Sequence, residues 1–181
     1  MCPRSRCRGV SLIELIVAIV IIGAAVAGVL LALRSAVRNS VDPVAQEQAL
    51  AIAKSLLEEI ESMPFTYCDP DDPNVSTATG VADCTTPETL GPEAGETRYS
   101  ATTPFDNVND YNGFAMTGIH DVTNAAITGL EAYTAAVTVT PVALSGIALD
   151  AALQIAVTVT GPGNTTVTLD GYRTRYAPNS P

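Results

Sequence analysis

The sequence predicts an α+β fold: a long N-terminal helix, apolar at first and amphipathic afterwards, packed against a small C-terminal antiparallel β-sheet. Three observations predict it. Residues 15–33 form an apolar run without a charge, apolar residues then recur at three- and four-residue steps as far as Met63, and the last third alternates apolar residues with threonine or small ones. A helix and a sheet that each carry one apolar face bury both by stacking as two layers. The 181 residues suit one folded domain plus an N-terminal segment outside it, because domains cluster at roughly 100 to 150 residues.

The first element is the run from Leu15 to Leu33, nineteen residues that as a helix span about 28 Å, the thickness of a hydrocarbon core. A secretory signal has a shorter apolar stretch followed by a small-residue cleavage site, whereas this run leads into more helix-forming sequence, so no cut is expected after it. Arg4, Arg6 and Arg8 precede the span and favour keeping that end cytoplasmic, which places everything beyond about Leu33 in the periplasm. Glu14 stands at the rim of the apolar run, where a buried charge is costly unless paired. A plain membrane anchor would leave it in the cytoplasmic headgroup layer.

The second element is the amphipathic stretch 34–64, with Ala49, Leu50, Ala53, Leu56, Leu57, Ile60 and Met63 on one side. Asp42 followed by Pro43 reads as an N-cap with proline in the first turn, so the helix kinks or restarts there, and Pro64 ends it. Gly23 and Gly28 are further weak points within the span.

Residues 67–95 are rich in Asp, Pro, Thr and Gly without apolar periodicity, which predicts a long loop. Cys68 and Cys84 bracket its first half, and in an oxidising compartment they are expected to pair; their sixteen-residue separation is unlike a redox C-x-x-C. Such a staple stabilises by about 3 kcal/mol. Asp69, Asp71, Asp72 and Asp83 read as a solvated acidic loop. The next stretch clusters Asp106, Asn107, Asn109, Asp110 and Asn112, oxygen ligands that suit calcium, but their spacing does not fit an EF-hand and no metal is expected. Residues 133–142, 153–160 and 165–172 are the expected strands, with Gly161-Pro162-Gly163-Asn164 as the turn of the last hairpin.

Composition narrows function by exclusion. Nine basic against nineteen acidic residues give a net charge of −10, which repels polyanions, so no nucleic-acid partner is expected. A tethered periplasmic hydrolase needs a nucleophile, a base and an orienting group; the only histidine is His120, and no G-x-S-x-G, H-E-x-x-H or phosphate-binding glycine loop accompanies it. No enzyme activity, no catalytic residue and no cofactor is expected.

The segment Arg8-Gly9-Val10-Ser11-Leu12-Ile13-Glu14 resembles the class III signal of type IV prepilins. The resemblance implies cleavage after Gly9 by a prepilin peptidase and N-methylation of Val10, where the family usually has phenylalanine. It also implies that Glu14, the fifth mature residue, pairs with the N-terminal amine of a neighbouring subunit and sets the helix register. The segmentation becomes 1–9 leader, 10–33 transmembrane and assembly helix, 34–64 amphipathic helix and 65–181 periplasmic β-rich domain. Three internal stretches, SVDPVAQEQALAIAKSLLEEIESMPF, FDNVNDYNGF and LDGYRTRYAP, look like the D group of MSHA-type minor pilins. That likeness implies a low-abundance subunit that initiates or caps an attachment fibre. Its implied partners are other pilins, the peptidase, an inner-membrane assembly platform and, before assembly, lipid. A minor pseudopilin of a type II secretion system shares the same architecture and is the alternative.

Overall fold

A computed structural model describes residues 11–38 and 42–181, so Gly9 and Val10, the expected cleavage and methylation positions, lie outside the described residues. The chain divides into two units, residues 1–40 and 41–181. The first unit carries helix α1, Leu12–Arg38, which extends beyond the apolar run.

The second unit opens with helix α2, Pro43–Ser62. Its start follows from local chemistry: Asp42 has an extended backbone, its carboxylate accepts the Val44 N–H at 3.0 Å, and Pro43 fills the first helical position, where no N–H is needed. Its end is set by Met63, whose N–H bonds back to Ile60 O before Pro64. Ala45, Ala49, Ile52, Ala53, Leu56 and Ile60 form its buried stripe. The alanines let the helix axis approach the sheet closely.

The sheet is a four-stranded antiparallel meander in the order β1-β2-β3-β4, formed by Ala115–Thr117, Thr134–Pro141, Ala152–Gly161 and Thr165–Thr174. The three long strands are those expected from alternation; the short edge strand β1 is an addition. Register aligns the apolar positions into rows, with Val137 opposite Val157 and Val157 opposite Leu169, and Val139 opposite Ile155. Ile155, Val157 and Val159 are fully buried beneath α2, and each such side chain contributes roughly 1.5–3 kcal/mol. The opposite face carries cross-strand threonines, including Thr158 and Thr168, whose hydroxyls lie 3.0 Å apart. Between β3 and β4 the chain turns through Gly163 and Asn164, both in the left-handed region at φ 66° and 61°. At Gly171 a side-chain methyl would sit 2.8 Å from Leu57 Cδ1 and collide with the Glu61 carboxylate, so glycine there sets how closely β4 meets α2.

Between α2 and β1 in the sequence, residues 64–114 are irregular apart from two short 3₁₀ turns; Asp71, Asp83 and residues 85–87 are exposed, while other parts of the segment are buried. Phe65, Thr66, Cys68, Val108, Asn107, Asp110 and Tyr111 are all buried. The 3₁₀ turn Val108–Tyr111 is closed by a capping box between Asn107 and Asp110. Phe105, Tyr111 and Phe114 meet edge to face with ring centroids 5.0–6.2 Å apart.

Candidate functional site

The first candidate is α1 itself. Ser11 begins it: the Glu14 N–H donates to Ser11 O at 3.1 Å and to Ser11 Oγ at 3.3 Å, so Ser11 acts as the cap and Glu14 occupies the third helical position. An acidic residue in the first turn also complements the positive end of the helix dipole. The Ser11-x-x-Glu14 spacing of a capping box is visible in the sequence, and Glu14 therefore has a local helix-starting role beside any intermolecular one. Its side chain is exposed and free to meet a partner.

Between Glu14 and Arg34 the helix is apolar on every side. Leu12–Arg34 is long and apolar enough to cross a membrane, and at about 1.5 Å per residue its 23 residues rise about 35 Å. Leu12 is 79 % exposed and Leu31 66 %, so the apolar surface of α1 must be covered by lipid or by other helices.

The second candidate region is the loop system after α2. Cys68 and Cys84 form a disulfide, with S–S 2.00 Å, that closes a loop around a small core of Val75 and Ala78. Asn179, near the C-terminus, donates its amide to Val75 O at 2.9 Å and Ala78 O at 2.7 Å, tying the tail to the same loop. Arg175 stacks on Phe65 and Tyr67, 3.9 and 4.8 Å from the ring centres, and donates to Asp150 O at 2.7 Å.

Acidic groups gather where residues 88–96 meet residues 69–71 and 106–110. Burial, followed by the charge of Asp110, pushes the Glu88 carboxyl up to about 10. The same two causes raise Asp106 to about 7, and burial raises Asp110 to about 6 against the N–H groups of Asn107 and Asp106 that its carboxylate accepts. Burial also raises Glu93 and Glu96. These folded-state values lie above the unfolded ones, so the native form holds extra protons between about pH 4 and each raised value, and stability falls as pH rises through that window. Asp72, Asp83, Asp121 and Glu131 are shifted downward by hydrogen bonds and titrate below it. In buffer stripped of divalent cations, the melting temperature is expected to be about 5 °C or more higher at pH 5.5 than at pH 8. Calorimetric scans at fixed ionic strength check it.

His120, the sequence's lone histidine, sits with Nδ1 3.2 Å from Gly118 O and its ring edge-on to Tyr99, a loop-stabilising position. Sequence reasoning missed the Arg98–Glu59 pair. Arg98 is 8 % exposed, and its Nε and Nη2 each donate to Glu59 at 2.7 Å while Nη1 reaches His120 O and Asp121 O. Tyr111 O–H donates to the same carboxylate at 2.8 Å.

Residues 4–30 match the family model described as the prokaryotic N-terminal methylation motif, a segment that includes Gly9, Val10 and Glu14. No curated protein and no solved structure matches the chain. The apolar helix, the small antiparallel sheet and the matched segment together give the chain the N-terminal signal and α+β architecture of a membrane-anchored, type IV pilin-like prepilin, a description that pilins and pseudopilins share.

Proposed function

We propose that this chain is a minor structural subunit of a type IV, MSHA-like pilus that helps initiate or cap the attachment fibre. Prepilin peptidase cleaves after Gly9 and methylates Val10. The mature protein waits in the inner membrane on α1, N-terminus cytoplasmic and residues 65–181 periplasmic, before the assembly platform passes it into the filament and to the cell surface. The observation that carries this reading is Glu14, the only charged residue between Arg8 and Arg34, at the exposed start of a helix whose apolar surface is uncovered. In a bundle of such helices the Glu14 carboxylate and the Val10 amine of a neighbour neutralise each other in low dielectric, and each axial slip of the bundle breaks that pair. The MSHA-like assignment rests on the three internal stretches, which a type II pseudopilin would not need.

Glu14→Ala is the test. Processing is expected to continue, because the peptidase acts at Gly9, while the subunit recovered in sheared filaments falls by about tenfold or more, the effect of losing a pair worth about 1.4 kcal/mol. Glu14→Asp, which keeps the charge and the helix start, is expected to recover part of the loss. Quantitative immunoblots of membrane and filament fractions read both. Unchanged incorporation of Glu14→Ala removes the register role.

A further inference from the structure

Three overlapping carboxylate sets lie side by side: Glu88, Glu93 and Asp110; Asp69, Glu93 and Glu96; Asp69, Asp71 and Asp106. Within each, the facing oxygens are all within 4.8 Å of one another. The ion pairs seen among the described residues, Lys54–Glu58 and Arg98–Glu59, lie elsewhere. Arg175 is close enough to feel the Glu88 charge; its Nη1 donates to Asp150 O and its guanidinium lies over the rings of Phe65 and Tyr67, while its buried Nε has no partner.

Crowded carboxylates alone mark nothing, since exposed acidic groups gather without an ion. What distinguishes the first set is buried oxygen without a donor. Asp110 has no exposed surface; its Oδ2 accepts the N–H groups of Asp106 and Asn107 at 2.9 and 2.7 Å, while its Oδ1 accepts nothing. Asn109, 4 % exposed and not itself acidic, donates Nδ2 to Glu88 Oε1 at 2.7 Å and to Thr89 O. Those two acceptors fix which end of the amide is nitrogen, and they leave the buried Asn109 Oδ1 without a partner. Glu88 Oε2 is the third buried oxygen without one. Buried acceptors are almost always satisfied, so these three oxygens call for a proton or a cation.

We propose that Glu88, Glu93 and Asp110, with the Asn109 amide oxygen, bind a calcium ion that fastens the 88–93 segment to the 3₁₀ turn at 108–111. The donor set is all oxygen, the chemistry of a hard cation. Calcium takes six to eight such ligands, carboxylates and amide carbonyls alike, at about 2.3–2.6 Å, so its ligand oxygens lie within roughly 5.2 Å of one another, a condition that the set meets. Magnesium demands a regular octahedron, a poor match to ligands from irregular loops. Binding would also act on the packing of α2, because the 108–111 turn carries Tyr111, which reaches Glu59 on that helix.

The test uses the full-length chain in detergent, stripped with EGTA and dialysed at pH 7.5, titrated with calcium chloride by calorimetry and followed by thermal melts. Calcium at 5 mM is expected to raise the melting temperature by about 5 °C or more, with a dissociation constant between roughly 10⁻⁵ and 10⁻³ M, and magnesium at the same concentration to give less than half the shift. Glu88→Gln keeps the side-chain shape and removes the carboxylate that the ion would bind. It is expected to melt in EGTA at or above the wild-type temperature, which shows that it folds, and to lose the calcium response. Asp121→Asn, outside the set, is expected to keep it. No heat and no shift at 10 mM calcium overturns the site and leaves a proton shared by Glu88 and Asp110 as the species that joins them. A full calcium response in Glu88→Gln, or an equal response to magnesium, also overturns it.

Discussion

Arg98→Ala is expected to lower the melting temperature by about 10–15 °C, the largest effect of any single substitution in the unit 41–181. The guanidinium is buried, makes two 2.7 Å bonds to Glu59 and holds the His120 and Asp121 carbonyls, while lying over the Tyr99 and Phe114 rings at 5.3 and 5.6 Å. Truncation leaves the Glu59 carboxylate, mostly buried on α2, with the Tyr111 hydroxyl as its remaining side-chain donor. Removing one partner of a buried pair costs about 3–5 kcal/mol, because the other charge stays desolvated. For a unit of this size each kcal/mol shifts the midpoint by roughly 3–4 °C. Arg98→Lys is expected to recover less than half of the loss, since an ammonium does not reproduce the two-pronged contact. Pairing Arg98→Met with Glu59→Leu is expected to be milder than Arg98→Ala alone, because no charge is stranded. A drop below about 3 °C for Arg98→Ala would show that the pair is dispensable.

Reducing the Cys68–Cys84 bond, or replacing both cysteines by serine, is expected to lower the midpoint by about 10 °C. The bond closes a loop of sixteen residues, for which chain entropy in the unfolded state predicts about 3 kcal/mol. Its loss reaches beyond the loop. Cys68 bridges to Pro87, the Glu88 N–H donates to Tyr67 O, and Asn179 anchors the C-terminus on Val75 and Ala78, so the acidic segment and the tail are both mounted on the stapled loop. Scans with and without reductant measure it, and limited proteolysis is expected to cut first between residues 69 and 84. Equal midpoints under both conditions would mean that the small core around Val75 holds the loop unaided.

The elements with strong local signals were legible in the sequence. An uncharged run of nineteen residues, the Asp42-Pro43 start and the valine-threonine alternation of β2, β3 and β4 each determine structure from neighbours within a few positions. Strand β1 was not legible, because its three residues are a strand only through pairing with Thr134–Ala136. The burial of Asp110 and Asn107 was not legible for a similar reason: the partner is remote in sequence, Asn107 Nδ2 donating to Thr66 Oγ1 at 2.7 Å across 41 residues. The capping spacing of Asn107 and Asp110 was the available hint that this stretch is a built turn. The Arg98–Glu59 pair joins a loop to a helix 39 residues earlier, a distance over which periodicity carries no information. At the N-terminus the order is reversed. Glu14 stands out in the sequence by its charge, and the structure adds that the same residue helps start α1.

The central claim is that the chain is made as a prepilin and matured at Gly9. It is tested most directly by intact mass and N-terminal peptide mapping of the membrane-purified protein, coexpressed with an active prepilin peptidase and kept non-reduced. The account predicts a chain that begins at N-methylated Val10 with Cys68 linked to Cys84. A chain that still carries Met1 to Gly9 under those conditions would contradict it and reduce α1 to a plain membrane anchor.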